Sequence, residues 1–157
     1  LLSDQEAALA WADQLPEPLR PIALAERPVE MRSAESLNPF HTTVGPPRRS
    51  VWLRVPDALP AERALHQYLL AYASDFHLLG TALLPHGVSW ATPGMQVASL
   101  DHAMWFHRQF RADEWLLYAQ DSPRAAGARG FNRGSIFTRA GELVASVAQE
   151  GLIRLRE

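Results

Sequence analysis

The chain contains no cysteine. Disulfides, thiolate metal sites and cysteine nucleophiles are therefore outside its chemistry. It contains no lysine either, and all fifteen basic residues are arginine. Schiff-base catalysis and a P-loop both depend on lysine, so both are excluded. No apolar run approaches the roughly 18 residues that cross a bilayer as a helix, so no membrane partner is expected. The opening residues, Leu1-Leu2-Ser3-Asp4, lack the basic and apolar regions of a secretory signal. The closing residues, Leu155-Arg156-Glu157, are not a peroxisomal address. A cytoplasmic location is therefore expected. The chain also lacks an initiator methionine, which suggests a processed start or a piece of something longer. What is present is 157 residues, 47% of them hydrophobic, with a net charge of -2. That is enough chain for one globular core, and the charge argues against nucleic acid as a partner.

Ser3-Asp4-Gln5-Glu6 reads as a capping box that opens a short helix, and Pro16 and Pro18 stop that helix. Residues 1–20 are expected to be a short helix and linker, and residues 21–157 the domain proper. A strand is expected from Ile22 to Arg32 and a loop over residues 33–49, followed by a strand at Ser50–Val55. The spacing of Leu65, Tyr68, Leu69, Tyr72, Phe76 and Leu79 predicts one long helix over Ala61–Leu79. Four strands are then expected at Val97–His107, Glu114–Asp121, Gly127–Thr138 and Leu143–Arg154. Ser122–Gly127 reads as a loose connection and Arg139-Ala-Gly141 as a hairpin turn. This order describes an α+β fold: an antiparallel sheet with a helix on one face. Long antiparallel strands curling round one central helix are a hotdog fold.

The last strand carries an anomaly. Alternation places Leu143, Ala145, Val147, Gln149 and Ile153 on one face. An unpaired amide on an apolar face costs about 1–3 kcal/mol, so Gln149 needs a hydrogen-bonding partner. Asp75 falls roughly 70° from the centre of the helix stripe, at its margin. Its plain reading is a helix-edge carboxylate. Ser99 and Asp101 are expected on the strand face opposite His102, so Ser99, Asp101 and His102 cannot form a converging triad. Gly87-Val-Ser-Trp-Ala91 lacks the second glycine of a nucleophile elbow. His102 and His107, with His86 as a third, lack the spacing of a metal site, so no metal and no cofactor are expected. Arg124, Arg129 and Arg133 read either as a solvated strand face or as a patch matched to phosphate oxygens.

Several runs, in order, resemble the type II acyl-CoA thioesterases. They are Leu65-His-Gln-Tyr-Leu-Leu-Ala-Tyr-Ala-Ser-Asp75, Pro85-His-Gly87 and Ser99-Leu-Asp-His-Ala-Met-Trp-Phe-His-Arg108. Glu114-Trp-Leu-Leu-Tyr118, Ala128-Arg-Gly-Phe131 and Val147-Ala-Gln-Glu-Gly151 complete the set. The resemblance covers about residues 20 to 155. It implies the second unit of a double hotdog whose first unit is absent. It implies hydrolysis of fatty acyl-CoA to fatty acid and coenzyme A. The family's catalytic Asp, Ser or Thr, and Gln positions are occupied here by Asp75, Ser99 and Gln149. The implied partners are an acyl-CoA substrate and either the missing N-terminal hotdog or further copies of this chain. Two rival readings accompany this one. The first is a half-enzyme that assembles but does not turn over. The second is another acyl-thioester activity, such as a dehydratase, which needs a His and a carboxylate together. On a continuous helix His77 would point about 200° away from Asp75.

Overall fold

The computed structural model describes residues 1–35, 38 and 42–156. The loop expected over residues 33–49 falls outside these at positions 36, 37 and 39–41, as does the terminal Glu157.

Helix α1 (Asp4–Ala10) opens on the expected capping box. The Ser3 amide donates to Glu6 Oε2 at 2.7 Å, and the Glu6 amide donates to Ser3 Oγ at 3.2 Å. Two 3-10 turns, Ala12–Gln14 and Glu17–Leu19, lead to a single helical turn, α2 (Arg20–Ala23). The strand expected from Ile22 is therefore only β1 (Glu30–Ser33). Pro28 denies the chain a ladder donor, and pairing starts beyond it. Strand β2 (Arg48–Arg54) alternates: Arg49, Val51 and Leu53 are buried, and their neighbours are not.

Helix α3 (Arg63–Ser74) is shorter than the periodicity predicts. It ends at Ser74, with Asp75 as its C-cap, and the chain resumes as a 3-10 segment over Leu79–His86. The side chains it buries are His66, Leu70, Ala73 and Ser74. Tyr68 and Tyr72, read as members of the apolar stripe, are 71% and 47% exposed.

The remaining strands are β3 (Met95–Ser99), β4 (Ala103–Phe106), β5 (Leu116–Ala126), β6 (Arg129–Thr138) and β7 (Leu143–Leu155). All pairings are antiparallel, in the order β1-β2-β5-β6-β7-β3, with β4 also on β7. β3 and β4 thus lie end to end along one edge. The connection expected at Ser122–Gly127 is instead a continuation of β5. Its tip is a two-residue turn in which Gly127 (φ 62°) and Ala128 (φ 60°) are both left-handed. That pattern matches the twist of an antiparallel hairpin. Pro123 is accommodated because the register shifts between Asp121 and Arg124.

The core lies between the sheet and α3. Val51, Leu53, Leu116, Tyr118, Ile136, Ala145 and Val147 pack with Leu70 and Ala73 of the helix. Two glycines make room for core side chains. A Cβ on Gly134 would sit 2.1 Å from the Tyr118 ring, and one on Gly151 would sit 2.4 Å from Leu79. Among the described residues no helix is long and apolar enough to cross a membrane.

Candidate active site

The site forms where the end of α3 meets the edge of the sheet. Three expected residues converge there from three elements. Gln149 of β7 is fully buried, and its Nε2 donates to Asp75 Oδ1 at 2.5 Å and to Ser99 Oγ at 2.8 Å. Ser99 Oγ in turn donates to Asp75 Oδ1 at 3.3 Å. The amide on the apolar face thus has the partner it needed on its nitrogen. Its Oε1 stays buried without one. Asp75 Oδ1 carries both bonds, which leaves Oδ2 for a ligand. The carboxylate is 60% exposed, so it projects further into solvent than the helix margin suggested.

Alternation on β7 holds for Ala145, Val147 and Gln149, all buried. Leu143 is not part of that face. The β6–β7 register shifts at Ile136/Phe137, where Val144 is the extra residue, and Leu143 is 36% exposed.

A second bulge corrects the placement of His102. Ser99 pairs with Gly151 and Ala103 with Ala148, so four steps on one strand oppose three on β7. The amides of Leu100 and Asp101 both donate to Glu150 O, and Asp101 Oδ1 accepts from the Glu150 amide. The extra residue breaks the single expected strand and reverses its parity. Ser99 and His102 therefore reach the same site instead of opposite faces. His102 Nε2 lies 2.8 Å from Ser74 Oγ, and its Nδ1 lies 3.9 Å from Asp75 Oδ1. Ser74 Oγ donates to Ala71 O at 2.8 Å, so it accepts from His102 Nε2–H.

Residues that sequence reasoning did not single out hold the end of α3. A helix leaves its last carbonyls unpaired, and here the sheet supplies donors. Tyr118 Oη donates to Ser74 O at 2.8 Å, and Gln120 Nε2 donates to Phe76 O at 3.2 Å. These bonds bracket Asp75 on both sides. Burial, and then the nearby Asp75 carboxylate, push the Tyr118 hydroxyl well up from the usual phenol range, so it stays a donor. The available signal was alternation: Leu116, Tyr118 and Gln120 share one strand face, and two of the three are polar.

The three arginines lie elsewhere. On β6 the buried residues are Gly130, Asn132, Gly134 and Ile136, so Arg133 points to the opposite face of the sheet, while Arg129 at the hairpin end reaches the cavity described below. Arg133 is held by Asp121 through two bonds, at 3.1 and 2.5 Å. Arg129 lies 3.9 Å from Glu150, and Arg124 is exposed opposite Phe131. His107 is apart from the site, its Nε2 2.8 Å from Ser146 Oγ, and His86 lines the cavity described next. Among the described residues no three His, Asp or Glu side chains gather as metal ligands.

On the inner face beyond Ser99 and Gln149 there is an apolar cavity of about 350 Å³. Met95 of β3, Ile153 and Leu155 of β7, Leu83 of the 3-10 segment and Ala125 of β5 line it, with His86 and Arg129 as its polar lining.

One curled antiparallel sheet round one helix, with an Asp, a Ser and a Gln meeting at the helix end, defines a hotdog protein with a candidate hydrolytic site. The acyl-CoA thioesterase family matches residues 19–152. Acyl-CoA thioesterase 2 of Haemophilus influenzae is 44% identical over 146 residues, which is 93% of this chain and 51% of that protein. The crystal structure of an acyl-CoA thioesterase II, TesB2, from Mycobacterium marinum has a TM-score of 0.70. It is 47% identical, over 83% of this chain and 51% of that one. A hotdog-fold protein from Alicyclobacillus acidocaldarius has a TM-score of 0.62 at 12% identity, over 83% of this chain and 47% of that one, a likeness of fold. The chain belongs to the acyl-CoA thioesterase family, and it spans about half the length of the curated relatives it matches.

Proposed function

We propose that the chain is the second hotdog unit of an acyl-CoA thioesterase, with residues 1–20 as the connecting segment. In this reading Asp75, Ser99 and Gln149 hydrolyse the thioester. The observation that carries it is the fixing of Asp75 Oδ1 by two donors, which leaves Oδ2 turned outward. A water at Oδ2 gives up its proton to the carboxylate as its oxygen attacks the carbonyl carbon. The resulting oxyanion collapses, the C–S bond breaks, and the thiolate takes the proton back from Asp75. Products are the fatty acid and coenzyme A. Gln149 and Ser99 orient the base, and its alignment supplies much of the rate. His102, 3.9 Å from Asp75, is on the side where the thioester would bind.

The apolar cavity suits the acyl tail. It lies on the same face as Ser99 and Gln149 and adjoins them along β3 and β7. The phosphates of the coenzyme would meet Arg124 and Arg129 at the β5–β6 hairpin. Arg133 joins them only by leaving Asp121.

The partner is read from what stays uncovered. Tyr68 and Tyr72 on α3 and Val97, Leu100 and Trp105 along the β3–β4 edge are all 39–71% exposed. Such a face calls for a covering partner. Its continuity with the exposed side of Asp75, and relatives of about twice the length, favour another hotdog: a first unit or a second copy.

The test is thiol release from a panel of acyl-CoA substrates by the chain, with Asp75→Asn alongside. Release that disappears in the variant supports the reading. Release unchanged by Asp75→Asn overturns the assignment of the base. The half-enzyme alternative, which assembles but does not turn over, is favoured if a folded sample releases nothing even when a first hotdog unit is supplied.

A further inference from the structure

Between Asp75 and the 3-10 segment stands His77, at φ 64°. The chain reverses here in a left-handed conformation that side chains other than glycine, asparagine, aspartate and histidine seldom take. The wheel angle expected for a continuous helix does not apply, because α3 has already ended. Both imidazole nitrogens are occupied. Nδ1 lies 3.2 Å from Arg49 Nη1, and Nε2 lies 2.5 Å from Asp4 Oδ2.

The chemistry of the partners fixes the tautomer. A guanidinium can only donate, so Nδ1 accepts, and Nε2 carries the hydrogen it donates to Asp4. Arg49 is buried on β2, and burial pulls it down to about 10, which still leaves it charged at neutral pH. The His77 carbonyl lies 3.2 Å from the Thr81 hydroxyl. Phe76, the one residue between Asp75 and His77, lies under the Arg27 guanidinium at 4.4 Å and against the edge of Tyr72. The turn is thus gripped from α1, from β2 and from the segment before β1.

We infer that His77 is the positioning residue of the site. Clamped between Asp4 and Arg49, it holds the left-handed turn that aims Asp75 at Ser99 and Gln149, and it makes the N-terminal helix a structural part of that aim. The inference rests on Asp75 being the base, but its geometry can be read without turnover.

Four variants test it in the chain. His77→Gly accepts the same φ without strain but cuts the clamp. Asp4→Ala cuts it from the other end. Asp4→Asn keeps an oxygen to accept from Nε2–H. His77→Asn keeps a left-handed residue and a shorter hydrogen-bonding group. His77→Gly and Asp4→Ala should lower kcat about tenfold with KM within about twofold, as expected of a displaced base. Asp4→Asn should keep more than half the parent rate, and His77→Asn should fall between. The second readout is the Gln149 side-chain amide resonance, assigned by its loss in Gln149→Ala. It should move in His77→Gly and Asp4→Ala and stay in place in Asp4→Asn. An unmoved resonance with unchanged kcat, or a KM effect alone, overturns the inference. If the parent chain alone releases no thiol, the resonance decides: a shift supports the positioning role, an unmoved resonance overturns it, and the catalytic reading is tested separately with a first hotdog unit supplied.

Discussion

Two sides of the same helix end differ sharply. On the sheet side the site is buried and, except at Gln149 Oε1, bonded: Gln149 and Ser74 are fully buried, and the carbonyls flanking Asp75 are bonded by Tyr118 and Gln120. On the other side Asp75 is 60% exposed, beside an uncovered helix face and sheet edge. On the proposed reading, the chain aims Asp75 but does not enclose it. Enclosure strengthens every charge interaction that a developing oxyanion needs. The committed sheet side therefore accounts for the geometry, and the open side is where the proposed partner would sit.

The largest expected break is on the boundary between the two. Asp75→Asn should reduce thiol release by about two to four orders of magnitude, the usual worth of a general base. Thermal unfolding should change little, because the carboxylate is largely in water. Next comes the committed side. Gly134→Ala forces a Cβ to 2.1 Å from the Tyr118 ring, so the ring must move and its hydroxyl leaves Ser74 O. We expect a loss of about 1–3 kcal/mol in denaturant unfolding, with activity falling as well.

The open side should respond in the opposite sense. Trp105→Arg, at a site 53% exposed, should leave the stability of the chain within about 0.5 kcal/mol. Sedimentation should show that it no longer associates, and turnover that depends on a partner should go with it. The apolar cavity sharpens the contrast differently. Ala125→Trp should fill it and shift preference toward shorter acyl chains, seen as a drop in kcat/KM for long substrates alone.

The smallest effect lies away from both sides. Arg111, and then the Leu59 amide, hold Asp113 down to about 2. A depressed carboxylate contributes stability in full above its ordinary value near 3.8. That contribution is lost as pH falls through about 2. Acid unfolding of Asp113→Asn should therefore lack that part of the pH dependence.

The contrast also separates what the sequence revealed from what it hid. The capping box at Ser3, the buried face of Ala145, Val147 and Gln149, and the antiparallel sheet on one helix were all legible, because each depends on residues close in the chain. The meeting of Asp75, Ser99 and Gln149 came from family resemblance, since no local spacing encodes it. Three features were hidden for one reason: they depend on a neighbour strand or a neighbouring surface. The bulge between Ser99 and Ala103 appears only when counted against β7, and one extra residue turns His102 toward Asp75. The helix stops at Ser74 without a Gly or Pro, because Tyr118 bonds its last carbonyl and Gln120 that of Phe76 just beyond it, both from the sheet. Tyr68 and Tyr72 sit at core spacing yet lie open, because the face that α3 turns to the core is that of His66, Leu70, Ala73 and Ser74.

The decisive experiment is thiol release per chain across a concentration series, with and without an added first hotdog unit from a full-length relative. If a partner must enclose the base, turnover per chain rises with self-association or on adding that unit, and Trp105→Arg abolishes the rise. A monomer that turns over at a rate independent of concentration, and unchanged by the added unit, would show that no enclosing partner is needed.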